Sequence, residues 1–271
     1  MKEERAIMSA WGRTAASLAA LAMVSVPAAL AGGAAPVTVI FHTPRIALRG
    51  NHKGPKSGGP AFGWSSSNWS GYAITTGAPY TSVTGNWIVP TVSPSRGPTY
   101  SASWVGIDGF NNSDLIQTGT EQDYAQGGAQ YAAWWEILPA AETVINEPVQ
   151  PGDHMSASIV NDGGGEWTIT LSDTTEGWTF STKQAYSGPG ASAEWIQEAP
   201  TVGGHIATLA NYGETTFNPG TANGGNPGLV TSDGGVMIQK GKQVSTPSVP
   251  DSDTDGFNIQ YGSVSPSAPA S

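Results

Sequence analysis

Short runs rich in Thr, Val, Ile, Trp and Tyr fill the chain after about Asn68, and Gly, Pro, Asn and Ser separate them. Examples are NWSGYAIT, YSASWVGI, QYAAWWEIL and SAEWIQE. Runs of this length with turn residues between them are typical of antiparallel strands in an all-β sandwich. No stretch has the apolar repeat of an amphipathic helix. The sequence therefore predicts an all-β fold, an antiparallel β-sandwich of two packed sheets.

The amino terminus has the pattern of an export signal. Residues 1–31 begin with basic residues, continue with an uncharged, alanine-rich run and end in Ala29-Leu30-Ala31. This order is typical of a cleaved signal peptide. A membrane anchor is disfavoured because the run contains Pro27 and only just reaches the length of a membrane span. We therefore predict a secreted, extracellular protein with no membrane partner.

Charge divides the rest of the chain into a basic segment and an acidic domain. The net charge is −10 in total, but residues 32–60 carry +4 and residues 61–271 carry −15. We interpret residues 32–62 as a basic propeptide that acts as an intramolecular inhibitor or chaperone of the acidic domain. A flexible linker is the alternative, because the segment is rich in Gly, Pro and Lys. The domain is predicted to span residues 63–262, and the Ser/Pro-rich residues 263–271 to be a disordered tail.

Composition excludes several classes of protein. The chain has no cysteine, which excludes disulfide scaffolds, thiol nucleophiles and thiolate metal sites. An acidic domain without a basic stripe is not expected to bind nucleic acid. HExxH, GxSxG and a Gly-rich phosphate loop do not occur in the sequence. We therefore expect a monomer that uses no cofactor and no metal.

One acidic motif has the spacing of a metal-binding loop. Asp251, Asp253 and Asp255 match the first half of a calcium loop, but Gly262 occupies the twelfth position, where that loop has a glutamate. We interpret the motif as a polar turn before a last strand. Calcium binding at this turn is left open.

Acidic and aromatic side chains share faces of several predicted strands, because side chains alternate along a strand. The groups on a common face are Trp104 with Asp108, Gln117 with Glu121, Trp134 with Glu136, and Glu194 with Ile196 and Glu198. If these strands are neighbours, one face of the sheet is a cleft with acids, an amide and aromatic walls. Alternatively, the aromatic residues fill the core and the acids face water. Periodicity does not distinguish the two faces.

Five blocks, NWSGY, WVGIDG, LIQTGT, YAAWWEILP and SAEWIQE, follow each other between about Asn68 and Asn218. This order closely resembles the glutamic peptidase family, the eqolisins, whose fungal members are acid endopeptidases. The resemblance implies a β-sandwich enzyme that hydrolyses polypeptides, with Gln117 and Glu194 as its catalytic pair. Fungal members commonly contain disulfides, so this cysteine-free chain resembles a bacterial-type member.

The resemblance also implies supporting residues. The WVGIDG block is intact, which implies that Trp104 and Asp108 help to build the site. Trp134 and Glu136 lie in the WWEILP block, where isoleucine replaces the second tryptophan of the family motif. The family has Asp four residues after the catalytic Gln, and this chain has Glu121, which keeps the charge on a longer side chain.

These residue types permit hydrolysis without a metal or a nucleophilic side chain. Glu194 would take a proton from water and return it to the leaving nitrogen, while the Gln117 amide would stabilise the oxyanion. Two alternatives stay open. A carbohydrate-binding or glycan-cleaving concanavalin A-like sandwich would use Glu136 and Glu194 as its carboxylate pair. A catalytically silent family member would only bind its ligands.

Overall fold

The computed structural model describes residues 39–48 and 59–271. Within these residues the chain forms β-strands and one turn of 3₁₀ helix at Thr231–Asp233. The predicted leader and most of the predicted propeptide lie outside the described residues. None of the described helices is long and apolar enough to span a membrane.

The strands are numbered in chain order. They are β1 (Ile40–Phe41), β2 (Trp64–Ser66), β3 (Trp69–Ile74), β4 (Ser82–Ile88), β5 (Ala102–Ile107), β6 (Ile116–Ala125), β7 (Gly128–Ile137), β8 (Thr143–Ile145), β9 (His154–Gly163), β10 (Glu166–Asp173), β11 (Trp178–Ala185), β12 (Ala193–Glu198), β13 (Thr201–Val202), β14 (His205–Ile206), β15 (Glu214–Ala222), β16 (Gly234–Gln239), β17 (Lys242–Pro247) and β18 (Phe257–Tyr261).

Most strands belong to one long sheet that folds into two layers. One layer has the order β11-β10-β9-β4-β15, and the other has the order β3-β12-β5-β6-β7-β8. Strands β18, β17 and β16 connect the layers, and β2 pairs in parallel with β16. Strands β4 and β9 pack face to face against β5 and β6. The predicted antiparallel β-sandwich is therefore confirmed. A separate small sheet has the order β1-β13-β14.

Side-chain alternation gives β5 and β12 two different buried faces. Val105 and Trp195 point to the main core between the layers. Trp104 and Ile196, on the opposite face, form a second apolar cluster with Trp69. All residues of β3, β5 and β12 are buried. Both faces of these strands are therefore covered, and the outer face carries the candidate site.

Strands β15 and β17 are two of the strands that the sequence patterns did not predict. Strand β15 contains Pro219 and shifts register beside it, which breaks the alternation that marks a strand in the sequence. Residues 263–271, which we expect to be a disordered tail, make hydrogen bonds with β15 and β18. Asn258 Nδ2 donates to Ser267 O at 2.9 Å, and Asn218 Nδ2 donates to Ala270 O at 3.0 Å. These amides satisfy backbone carbonyls of the tail and hold it against β15 and β18.

The acidic motif before β18 forms a turn. The backbone N–H groups of Asp255 and Gly256 donate to Asp251 Oδ1 at 3.1 and 3.2 Å. Carboxylate oxygens of Asp251, Asp253 and Asp255 lie within 4.8 Å of one another. The turn leads directly into Phe257, which is buried in the main core.

Gly119 allows β5 and β6 to pair closely beneath the site. A Cβ atom at this position would overlap Ser103 O and lie 2.5 Å from Trp104 Cβ. We expect Gly119→Ala to lower the free energy of unfolding by about 1–3 kcal/mol, because backbone must move to admit the methyl group. Gly128→Ala, in the same hairpin, meets no atom within 4 Å. Urea denaturation should show little change for this control. Equal stabilities for the two variants would contradict the packing explanation.

Candidate active site

Four neighbouring strands form one row of side chains across the outer face. Glu194 of β12 lies opposite Gly106 of β5, which lies opposite Gln117 of β6, and Gln117 lies opposite Glu136 of β7. Directly opposed residues of antiparallel strands share a face, so the three polar side chains project together. All three are fully buried. Gly106 has no side chain, and the Trp104 ring lies against it, since a Cβ atom there would be 2.9 Å from Trp104 Cζ3.

The Gln117 amide has a fixed orientation. Its Nε2 donates to Glu136 Oε2 at 2.8 Å and to the backbone carbonyl of His42 at 2.7 Å. Exchanging the amide oxygen and nitrogen would set an acceptor against these two acceptors, so the NH₂ group must face them. Gln117 Oε1 has no hydrogen-bond partner among the described residues. The side chain therefore presents a donor to a peptide carbonyl and keeps a free acceptor.

Glu194 differs from Glu136, the other acid of the row, in its hydrogen bonding. It is fully buried, and neither carboxyl oxygen has a hydrogen-bond partner within the described part of the chain. Burial raises the pKa of Glu194 well above the ordinary value, and the negative charge of Asp108 raises it further. A carboxyl group with free oxygens and a raised pKa can hold a proton and release it, as a general acid or base must.

Two further rows line the same face beside the first. Ile196, Trp104, Gly119 and Trp134 form one row. The next row contains Glu198 and Glu121, separated by Ala102. Trp104 Nε1 donates to Glu198 Oε2 at 2.9 Å, which ties the two rows together. The predicted Trp104, Glu121, Trp134 and Glu136 thus lie on one face with Gln117 and Glu194.

Asp108 does not continue that face. Strand β5 ends at Ile107, and Asp108 adopts a left-handed backbone conformation with φ 73°. Its carboxylate accepts four hydrogen bonds, with distances of 2.6–2.9 Å. The donors are Asn112 Nδ2, Tyr186 Oη, and the backbone N–H groups of Gly190 and Ala191. Asp108 therefore holds the loops at the end of β5, and it affects Glu194 through its charge.

A histidine from the basic segment occupies the cleft. The His42 ring stacks on Trp134 with centroids 3.6 Å apart and planes 5° from parallel. Its Nδ1 lies 3.2 Å from Glu198 Oε2, and its Nε2 lies 3.1 Å from Glu142 Oε2 and 3.5 Å from Glu121 Oε1. Because both ring nitrogens face carboxyl oxygens, the arrangement suits an imidazolium, which donates from both.

Opposing causes act on the pKa of His42. Burial alone would lower it, but the hydrogen bonds to Glu142 and Glu198 and the surrounding negative charge raise it well above 6.5. The hydrogen bonds and the surrounding acids therefore favour the cationic form of the imidazole.

The backbone around His42 is bound by the same acids. The His42 N–H donates to Glu136 Oε2 at 3.0 Å, and the Thr43 N–H donates to Glu198 Oε1 at 3.1 Å. The indole N–H of Trp69 donates to Thr43 O at 2.9 Å. The His42–Thr43 peptide group is thus hydrogen-bonded at its carbonyl by Gln117 and at its N–H by Glu198. A substrate peptide can be bound by the same two contacts.

Sequence reasoning missed His42 and Glu142, and it placed Glu198 on the right face without including it in the site. The spacing of Glu198 from Glu194 was a usable signal. His42 lies in the basic segment, far from the domain in sequence, and Glu142 lies in the turn between β7 and β8. Neither position has a spacing rule that connects it to the cleft.

Burial also raises the pKa of other acids in the cleft. The pKa of Glu136 rises to about 8 although the His42 charge lowers it. The pKa of Asp123 rises to about 7, again through burial. Burial and the charge of Asp123 raise the pKa of Glu121. The site is therefore a group of carboxyls that take up protons well above the usual pH of carboxylate titration.

Known proteins share this chain's sequence pattern and fold. A family model described as the peptidase A4 family matches residues 67–261. Aspergillopepsin-2 of Aspergillus niger is 30% identical over 197 residues, which are 64% of this chain and 70% of that protein.

Two solved structures are similar in fold. Scytalido-glutamic peptidase with a transition state analog inhibitor superimposes with a TM-score of 0.62 and 22% identity, over 72% of this chain and 98% of that one. SCP-B, a member of the eqolisin family in a complex with the tripeptide Ala-Ile-His, gives a TM-score of 0.56 and 20% identity over the same shares.

The raised pKa of Glu136 makes stability depend on pH. A carboxyl with a folded-state pKa of about 8 and an ordinary value of 4.5 stabilises the fold below the ordinary value, and this contribution is lost as pH rises through about 8. We expect thermal unfolding to show lower stability at pH 8 than at pH 5. In Glu136→Gln this decrease in the free energy of unfolding should be smaller by about 2 kcal/mol. Exposed Glu147→Gln is the matched control. Identical pH slopes in both variants would contradict the assignment.

Proposed function

The chain belongs to the peptidase A4 family and is a glutamic-type endopeptidase, and from that premise we propose that Gln117 and Glu194 hydrolyse peptide bonds in acid. The observation that carries this proposal is the row in which Gln117 and Glu194 lie on either side of Gly106. A Cβ atom at Gly106 would lie 2.9 Å from Trp104 Cζ3 and 3.3 Å from Gln117 Cβ. A larger residue there would therefore displace the Trp104 ring and the base of the Gln117 side chain.

The proposed reaction starts with Glu194 as a carboxylate. It takes a proton from water, whose oxygen attacks the peptide carbonyl carbon, while Gln117 Nε2 donates to the carbonyl oxygen as it becomes negative. The C–N bond then breaks, and Glu194 gives the proton to the leaving nitrogen. The products are a carboxylic acid and an amine. Burial raises the pKa of Glu194 in the latent chain. We propose that water beside the carboxyl ends this burial and lowers the pKa again, so that Glu194 is present as the carboxylate base.

An acidic working range is supported by the neighbouring carboxyl groups. Because burial raises the pKa of Glu136 to about 8, this residue is neutral in acid. Its Oε2 can still accept the hydrogen bond that orients Gln117. Neutral Glu136 adds no negative charge beside the developing oxyanion, whereas a carboxylate there would oppose it. The oxyanion site therefore keeps this advantage below about pH 8, and the acidic range is included.

The basic segment is proposed to be a propeptide that inhibits the cleft from within the chain. Residues 39–48 contribute β1, which pairs with β13, and His42, which lies among the acids and against Gln117. A carbonyl of the chain itself thus takes the hydrogen bond that a substrate would need. The signal-like leader supports secretion of this latent form, with polypeptides as substrates after release.

Acid is proposed to release this segment. The His42 charge lowers the pKa of Glu198, Glu136 and Glu121 relative to burial alone, so docking favours their ionised forms. Protonation of these carboxyls removes the negative charge that attracts the His42 imidazolium, so this attraction weakens as pH falls.

The catalytic pair can be tested by substitution. We expect Glu194→Gln to lower kcat by about 10²–10⁴, because the general base and acid is lost. Gln117→Ala should lower kcat by about 10²–10³, because the oxyanion donor is lost. The assay is hydrolysis of an acid-denatured protein by the activated enzyme. Glu147→Gln and Gln130→Ala, at exposed positions, are controls that should retain activity. Near-normal turnover in either site variant would refute the proposed pair.

Latency can be tested through His42. The full-length chain, shifted from neutral pH to acid, should gain activity after a lag while the segment leaves. His42→Ala removes the imidazolium held by Glu198 and Glu142, and we expect the lag to shorten several-fold. His154→Ala, an exposed histidine on β9, is the control. Equal lags in the two variants and wild type would exclude His42 as the group that holds the segment.

A further inference from the structure

Arg45, a second cation of the basic segment, lies in a binding site formed by aromatic rings and oxygen acceptors. The Arg45 guanidinium carbon is 3.9 Å from the ring centroid of Phe110 and 5.8 Å from that of Trp64. Arg45 Nε donates to Phe110 O at 3.0 Å, and Nη2 donates to Asn111 Oδ1 at 3.2 Å. The group that binds Arg45 thus combines an aromatic face with two oxygen acceptors, which is the set a planar guanidinium requires.

This group is fixed relative to the catalytic row. The loop 109–114 follows β5 directly, and β5 contains Gly106 of the row. Asn112 Oδ1 accepts the N–H groups of Gly109 and Asp114 at 3.0 and 3.1 Å, and Asn112 Nδ2 donates to Asp108 Oδ1 at 2.9 Å. The loop is therefore tied to the end of β5 by side-chain and backbone hydrogen bonds.

The segment also defines a register. Gln117 holds the carbonyl of His42, and the third residue after it is Arg45, whose N–H donates to Gly109 O at 3.0 Å. Three residues of extended chain span about 10 Å. A polypeptide that follows the same path with a carbonyl on Gln117 brings its third following side chain to Phe110.

We propose that Phe110, Asn111 and Trp64 form a substrate subsite for arginine, at the third residue after the one whose carbonyl Gln117 holds. The subsite rests on the proposed function, because it selects a side chain only if peptides are hydrolysed with a carbonyl bound to Gln117. All three residues belong to the domain, so the site persists when the segment leaves. Arginine fits better than lysine because its planar group stacks on Phe110 while donating sideways to both oxygens. The domain charge of −15 favours a cationic substrate segment in addition.

Matched peptides test the proposal on the activated enzyme. The reference peptide is Ile-Phe-His-Thr-Ala-Arg-Ile-Ala, and its partners have glutamine or lysine in place of arginine. A fourth peptide has the arginine three residues before the histidine. We expect cleavage between His and Thr, with kcat/KM about tenfold lower for the glutamine peptide and intermediate for lysine. Mass spectrometry identifies the bond that is cut.

Variants of the subsite complete the test. Phe110→Leu should reduce the arginine-to-glutamine ratio of kcat/KM several-fold. Phe180→Leu, a half-buried phenylalanine on β11, is the matched control and should keep the ratio. An Asn111→Ala variant should reduce the ratio less, because it removes one of the two acceptors.

The outcomes separate the subsite from the proposed function. Equal rates for the arginine and glutamine peptides would overturn the subsite, and so would a preference for arginine on the amino-terminal side. Hydrolysis of denatured protein but of none of the peptides would also overturn the subsite and leave the peptidase function standing. Failure to hydrolyse denatured protein under any acidic condition would overturn the proposed function, and the subsite with it.

Discussion

Burial of both faces of the central strands is the constraint on which this structure depends. Strands β3, β5 and β12 are buried at every position, so they have no solvent-facing side. One face packs in the core between the layers. The other face carries Gln117, Glu136 and Glu194 in a row and is covered by loops and by residues 39–48. Acids on such a face must be protonated, hydrogen-bonded or paired with a cation, because isolated buried charge is costly.

The same constraint connects the proposed latency with the proposed chemistry. His42 supplies the cation, and its hydrogen bonds to Glu198 and Glu142 compensate for the loss of solvent around these acids. Without the cation, these carboxyl groups are more stable in the neutral form while they are buried. Low pH favours that neutral form. Glu194 is the exception in the row, since neither of its oxygens is used in a hydrogen bond within the described residues. It is therefore the acid most available for proton transfer.

Sequence patterns foresaw much of the sheet and part of the site. The runs containing Trp104, Gln117, Glu136 and Glu194 are strands, and alternation correctly grouped Gln117 with Glu121 and Trp134 with Glu136. Alternation failed at Asp108 because the strand ends one residue earlier and the backbone turns. It also could not tell the core face from the site face, because tryptophans lie on both.

Other features depend on contacts that no local pattern records. His42 contacts Glu198 across 156 positions of sequence, and its partners come from β6, β7, β12 and the turn between β7 and β8. The charge difference between the basic segment and the acidic domain indicated that the two would associate. It did not indicate that the segment would enter the cleft and offer its backbone carbonyl to Gln117.

Titration of the Glu194 carboxyl is the most direct test of the proposed mechanism. Carbon-13 NMR of the activated enzyme, labelled at glutamate side-chain carboxyls, would follow this group when compared with Glu194→Gln. If Glu194 is the general base, one resonance is missing from the variant and titrates at the pH of the acidic limb of kcat/KM. The role of Glu194 would be contradicted by a resonance that does not titrate across the active pH range. It would also be contradicted if the acidic limb of kcat/KM followed the titration of another carboxyl.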